Sequence, residues 1–173
     1  MNLIDVITKA CEILQKYNPG VIAPFPFENI YQGEKNLEAH FLELDEEVSG
    51  SINYDATLKK FKILINTCKP ATRQYFALGH ELGHFYLHQH VLLKEKILID
   101  GDSLLNKSML FRSDTPEFGE IEFAANQFAA NLLMPEDNIK RAWETLGNIH
   151  ELADIFKVSA SAMSVRLERL GLL

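Results

Sequence analysis

His80, Glu81 and His84 are the residues of this chain best placed to do chemistry. They stand in the stretch His80-Glu81-Leu82-Gly83-His84, an H-E-x-x-H pattern. In a helix, positions i and i+4 lie one above the other on one face. Both imidazoles can then reach one metal ion. Glu81 would lie beside that ion, where a general base can take a proton from water. A catalytic zinc site takes three protein ligands and leaves the fourth position to water. A third ligand must therefore come from elsewhere in the chain.

His90 follows His84 by six residues. Proteins that use that spacing turn the chain at a glycine, where this sequence has Leu87, a residue poorly suited to a left-handed turn. If the helix instead continues, His90 lies about 9 Å along the axis from His84 and cannot share its ion. His88 lies about 6 Å beyond His84 and about 12 Å beyond His80 on the same count. Both read as exposed helix-end histidines. Glu122, on a separate downstream helix, is the preferred third ligand, completing a set of two histidines and one glutamate. Glu120 and Glu117 are the alternatives. Asn126, one turn after Glu122, can accept from the free N–H of a ligand imidazole and so orient it. Tyr86 and Arg73 are candidates for stabilising an oxyanion. His40 reads as an ordinary strand histidine.

The elements that must position these residues are legible in the hydrophobic pattern. Residues 71–92 are expected to form the metal helix. Tyr75, Leu78, Leu82 and Phe85 make its buried stripe, while Arg73, Ala77, His80, Glu81 and His84 face a cleft. Gly79 and Gly83 each cost about 1 kcal/mol in a helix interior. Their i, i+4 spacing predicts a close approach by another element. Residues 118–134 form a second helix, with Ile121, Ala125, Phe128 and Leu132 as its stripe, many alanines for close packing, and Pro135 at its end. Residues 37–66 predict a small antiparallel sheet with a hairpin connection over 54–59. Residues 2–17 predict a helix capped by Asn2 with Asp5, with Leu3, Val6, Ile7, Ala10, Leu14 and Tyr17 on its apolar face. The prolines of 21–27 predict an extended connection. Residues 93–119 read as a loop rimming the site, a lid or binding segment. Residues 148–171 read as two short helices around Lys157-Val158-Ser159. Leu152, Ala153, Phe156, Val158, Met163, Leu167 and Leu170 are spaced like a helix-turn-helix core.

Composition narrows the function classes. The 173 residues are 47% apolar and 24% charged, with a formal net charge of −7. A domain that grips phosphates is usually basic, so direct nucleic-acid binding is not expected. Over residues 141–173, Arg141, Lys157, Arg166 and Arg169 are balanced by Glu144, Glu151, Asp154 and Glu168. Cys11 and Cys68 form no C-x-x-C pair and read as small apolar residues in a reducing compartment. The start of the chain lacks the pattern of a signal peptide, and no apolar run is long enough to span a membrane. A cytoplasmic protein with no membrane partner is expected.

Two stretches together carry a family resemblance. One is Arg73-Gln74-Tyr75-Phe76-Ala77-Leu78-Gly79-His80-Glu81-Leu82-Gly83-His84, with Leu87-His88 following. The other runs from Glu122-Phe123-Ala124-Ala125-Asn126 to Leu132-Leu133-Met134-Pro135 and is the more specific. The chain resembles the ImmA/IrrE family of metallopeptidases over roughly residues 20–170, in motif order. The resemblance implies a zincin-like α+β fold, in which the small antiparallel sheet packs on the H-E-x-x-H helix and C-terminal helices follow. It implies a metallopeptidase domain over 1–147, with a helix-turn-helix-like segment over 148–173 packed on it. It implies His80, His84 and Glu122 on one Zn²⁺ and Glu81 as the base. It also implies a protein substrate, a helix-turn-helix repressor, since members cleave or inactivate such repressors in mobile elements and stress responses. The departures are mild: Ala124 stands where a second acidic residue is common, and Asn126 where Asp is also common. Two rival roles stay open, a metal-binding regulator that sequesters its partner uncut and a DNA-binding regulator acting through the C-terminal helices.

Overall fold

A computed structural model describes residues 2–20, 23–95 and 116–173. Helix α1, Leu3–Tyr17, begins at a reciprocal cap. The Asn2 side chain accepts the Asp5 N–H at 2.9 Å and the Asp5 carboxylate accepts the Asn2 N–H. Such caps satisfy N–H groups that the helix itself cannot. Its buried face is Val6, Ala10, Ile13 and Tyr17, while Leu3 and Ile7 stay on the exposed side. A short helix, α2 at Phe27–Gly33, leads into the sheet.

The sheet has three strands, β1 at Leu37–Leu42, β2 at Gly50–Asp55 and β3 at Lys60–Asn66, in the order β1-β3-β2. Strands β2 and β3 form the antiparallel hairpin. Asp55 closes it by accepting the N–H groups of Thr57 and Leu58, and Lys59 takes a left-handed φ of 54°. Strands β1 and β3 are parallel, with Leu37 opposite Phe61, so the sheet is mixed and not wholly antiparallel. Alternation of side chains assigns faces to a strand but says nothing about which neighbour it pairs with or in which direction. Here β1 and β2 run opposite ways with a gap between them, and β3 fills the gap.

Buried Asn66, at the end of β3, makes this crossing workable. Its side chain accepts the N–H groups of Leu44 and Cys68 and donates to the carbonyls of Leu44, Asp45 and Val48. One buried side chain thus pairs backbone groups of Leu44, Asp45 and Val48 in the 43–49 connection. That connection delivers β2 to the edge of the functional cleft.

Helix α3, Ala71–Leu87, lies with the sheet on one side and helix α5, Pro116–Leu133, on the other. Leu78, Leu82 and Phe85 bury toward Phe61, Ile63, Ile65, Phe128 and Leu132 in one continuous core. Each such side chain contributes about 1.5–3 kcal/mol of burial. The α3–α5 approach is close enough to demand glycine. A Cβ on Gly83 would lie 2.9 Å from Ala125 Cα and 3.0 Å from its carbonyl oxygen. Gly79 is less constrained, facing Leu133 Cδ1 at 3.1 Å.

Helix α4, Gln89–Glu95, begins immediately after α3. The lid or binding loop expected over 93–119 falls mainly outside the described residues. Helices α6 at Glu136–Leu146, α7 at Ile149–Phe156 and α8 at Ala160–Arg169 complete the chain. Lys157 takes a left-handed φ of 53° between α7 and α8, and the Ser159 side chain caps α8. Leu152, Phe156, Met163 and Leu167 are fully buried and join the main core. Among the described residues no helix is long and apolar enough to cross a membrane.

Candidate metal centre

The register of α3 places His80 and His84 on one face, and the glycine-dependent contact with α5 brings Glu122 over them. His80 Nε2 and His84 Nε2 are 3.0 Å apart. Glu122 Oε2 lies 3.2 Å from His80 Nε2, and Glu122 Oε1 lies 3.2 Å from His84 Nε2. A tetrahedral zinc ion at about 2.0–2.1 Å from each ligand needs ligand atoms about 3.3–3.4 Å apart. The two imidazole nitrogens, each 3.2 Å from a different Glu122 oxygen, are spaced close to that requirement, and the donor set of two imidazoles and a carboxylate suits zinc. Among the described residues they are the cluster of His, Cys, Asp and Glu able to hold a metal ion.

The remaining imidazole nitrogens are also placed. His80 Nδ1 lies 3.1 Å from Asn126 Oδ1, an acceptor, so Nδ1 carries a proton and Nε2 is the nitrogen left to meet a metal. His84 Nδ1 lies 3.2 Å from His88 Nδ1. His88 was expected to be an exposed helix end, but it is buried at 6% exposure. His88 lies outside the cluster of His80, His84 and Glu122. The reading missed that α3 ends at Leu87, so that His88 leaves helical geometry and folds its ring back on His84. His90 is exposed. Glu120 is exposed and lies outside the cleft lining, and the side chain of Glu117 is not among those described.

The local charges reinforce one another. Burial disfavours a charged Glu122, but hydrogen bonds from His80 and His84 outweigh it and pull the carboxyl down to about 2. Burial opposes a charge on His80 too, yet its bond to Glu122 and the fields of Glu81 and Glu122 leave it above the usual histidine range. Glu81 is pushed up, chiefly by burial, against the downward pull of both histidines. A carboxylate made more basic in this way is suited to accepting a proton near neutral pH. His88 is drawn down to about 4 by burial and by the neighbouring histidines, so its imidazole is neutral at pH 7.

A cleft of about 330 Å³ opens onto this cluster. One wall is the α3 face of Arg73, Ala77, His80, Glu81 and His84, and the other is the 47–52 segment entering β2. Arg73 Nε donates to Ser49 Oγ at 3.0 Å and ties the two walls. Gly50 lies where a Cβ would come 3.3 Å from Glu81 Oε1 and 3.2 Å from the Leu64 carbonyl, so its lack of a side chain leaves space beside the carboxylate. Tyr86, considered for the oxyanion, points elsewhere: its hydroxyl donates to Glu34 at 3.2 Å. His40 pairs with Glu38 on the sheet and takes no part in the cleft.

Comparison with known proteins agrees with this picture of the fold. A transcriptional regulator from Mycobacterium tuberculosis superposes with a TM-score of 0.61 at 15% identity, covering 94% of this chain and 46% of that one. The chain thus spans less than half the length of that neighbour. No curated protein matched the sequence. The Peptidase_M78 model, described as the IrrE N-terminal-like domain, matches residues 33–168, which include the sheet and both helices of the cluster. By that match, the chain belongs to the M78, IrrE-like peptidase family.

Proposed function

We propose that this chain is a zinc-dependent endopeptidase that hydrolyses a peptide bond in a regulatory protein carrying a helix-turn-helix domain. The observation that carries the reading is the convergence of His80, His84 and Glu122 beside buried Glu81 at the floor of one cleft. His80 Nε2, His84 Nε2 and a Glu122 oxygen would hold the ion. When bound, zinc supplies Lewis acidity, acidifying water and polarising a carbonyl. Glu81 takes a proton from the attacking water as its oxygen bonds to the scissile carbon. It then delivers that proton to the amide nitrogen as the C–N bond breaks. Gly50 leaves room for the reacting chain next to Glu81, and Arg73 with Ser49 holds the facing wall. The cleft volume is at the low end of the about 300–1,000 Å³ typical of ligand sites. It accepts a short extended segment and not a folded domain, so the substrate must present a loop or an unfolded linker.

The repressor substrate is supported by family membership. Residues 148–173 serve in this reading as a helical module packed on a 1–147 peptidase domain. The test is incubation of the zinc-loaded protein with a helix-turn-helix repressor encoded beside it, read by mass spectrometry for new termini. One or few cuts are expected, and Glu81→Gln should abolish them. Tight binding without cleavage under zinc-replete conditions would replace the peptidase reading with a sequestering one.

A further inference from the structure

Each of the two cluster histidines has its second nitrogen anchored, but by different means. For His80 the anchor is Asn126 on α5. For His84 it is His88, at the joint between α3 and α4. Two Nδ1 atoms facing each other at 3.2 Å share a single proton, so one ring must donate and the other accept. His84 Nε2 faces His80 Nε2 and Glu122 Oε1 and needs its lone pair for the ion. With the ion bound, the proton must therefore sit on His84 Nδ1.

We propose that His88 is a positioning residue of the metal centre: its Nδ1 accepts the Nδ1–H of His84 and so fixes the tautomer and direction of that ligand. The proposal rests on the metal reading above. The backbone holds His88 in place for this task. Its N–H donates to the His84 carbonyl at 2.9 Å, and its own carbonyl accepts from Val91 and Leu92 at 2.9 and 3.1 Å. The residue is thereby clamped between the end of α3 and the start of α4. With 6% exposure, the ring has no room to exchange this partner for bulk water. Leu92, started on its course by that same carbonyl, lines the cleft. An imidazole acceptor in this position does for His84 what a carboxylate or carbonyl does for many metal-bound histidines.

The experiment compares Zn²⁺ affinity, by chelator competition, for the unsubstituted chain, His88→Leu and His88→Gln. Leucine fills space but accepts nothing, whereas the glutamine side-chain oxygen restores an acceptor. His88→Leu should weaken Zn²⁺ binding by about 10- to 100-fold, the range for loss of such a partner. His88→Gln should recover most of it, while the thermal midpoints of the two metal-free variants stay alike. Nitrogen-15 histidine spectra of the zinc-loaded unsubstituted chain provide a check that needs no variant. They should show His84 protonated at Nδ1 and His88 unprotonated at Nδ1. Full affinity in His88→Leu, or equal losses in both variants, or a proton on His88 Nδ1, would overturn the positioning role alone. Failure of the unsubstituted chain to bind Zn²⁺ would overturn the metal reading and this role with it.

Discussion

At the residue scale, the proposed division of labour at the cleft separates metal binding from proton transfer. Glu81 is not among the three residues, His80, His84 and Glu122, that could hold the ion. Glu81→Gln should therefore keep about one zinc per chain by elemental analysis and yet lose hydrolysis by about 10²- to 10⁴-fold, the usual span for a general base. His80→Ala, His84→Ala and Glu122→Ala should lose the zinc, while His90→Ala should keep it. Zinc retained by Glu122→Ala and lost by His90→Ala would reverse the ligand assignment. The motif made His80, Glu81 and His84 legible as a group, because i, i+4 spacing is local. Glu122 was harder to single out from Glu120 and Glu117, since the choice depends on how one helix is rotated against another. The contact of His88 could not be read at all, because it follows from where the helix stops. Away from the cleft, Glu34 accepts from Tyr17, Lys16 and Tyr86 and ties α1 to α2 and α3. Burial raises its carboxyl, but the bonds from Tyr17 and Lys16 prevail and hold it below the usual 4.5. A depressed carboxyl stabilises the fold above its unfolded value and loses that contribution as pH falls through the folded value. Glu34→Gln should thus cost about 1–2 kcal/mol at neutral pH. Its deficit against the unsubstituted chain should shrink below about pH 4.5 in denaturant titrations. A deficit constant with pH would assign the loss to packing.

At the scale of elements, the geometry of the cluster depends on the separation of α3 and α5. Ala125 approaches Gly83 so closely that an added methyl must move backbone, whereas at Gly79 it meets the flexible end of Leu133. Helix propensity alone would favour alanine at both by about 1 kcal/mol. Gly83→Ala should nevertheless lower stability, since overpacking costs about 1–3 kcal/mol. It should also weaken zinc binding by pushing Glu122 away from the histidines. Gly79→Ala should be close to neutral in both measurements. Equal behaviour of the two variants in thermal unfolding and chelator competition would show that helix separation does not set the site. The paired glycines announced this contact in the sequence, because two such costs in one helix need a compensating reason. The sheet was legible only in part. Alternation located β1 and β3, with β2 lying between them in sequence, but the parallel pairing of β1 with β3 rests on the 43–49 crossing, which Asn66 makes affordable through bonds to residues 18 to 22 positions away. One asparagine at a strand end carries no sequence signal of that role.

At the scale of the whole molecule, residues 148–173 have the look of a helix-turn-helix but are wired into the peptidase fold. Their apolar spacing was readable, and Leu152, Phe156, Met163 and Leu167 are buried in the shared core. The charge count was readable as well, though not the use of each charge. Arg166, one of four basic residues set against four acidic ones over 141–173, is buried and turned inward. Its Nε donates to the Met134 carbonyl at 3.0 Å and its terminal nitrogen to Asn131 Oδ1 at 2.9 Å. Arg166 is thus a strut between α8 and the end of α5, and a guanidinium so engaged cannot also grip a phosphate. That leaves Arg141, Lys157 and Arg169 against the same four carboxylates, which weakens the case for a DNA-reading face further. Arg166→Met keeps the length of the side chain and removes its donors, leaving the Met134 carbonyl without this partner. Stability to urea should fall by about 1–3 kcal/mol, the cost of an unpaired buried polar group. Zinc stoichiometry should stay at about one per chain, because the strut reaches α5 at its far end, beyond Glu122 and Asn126. Fluorescence anisotropy with a DNA duplex at low salt should show no saturable binding by the unsubstituted chain, and no change in the variant. A variant as stable as its parent would show that the C-terminal helices are held by apolar packing alone. Loss of salt-dependent DNA binding on substitution would instead give Arg166 a role in contacting DNA.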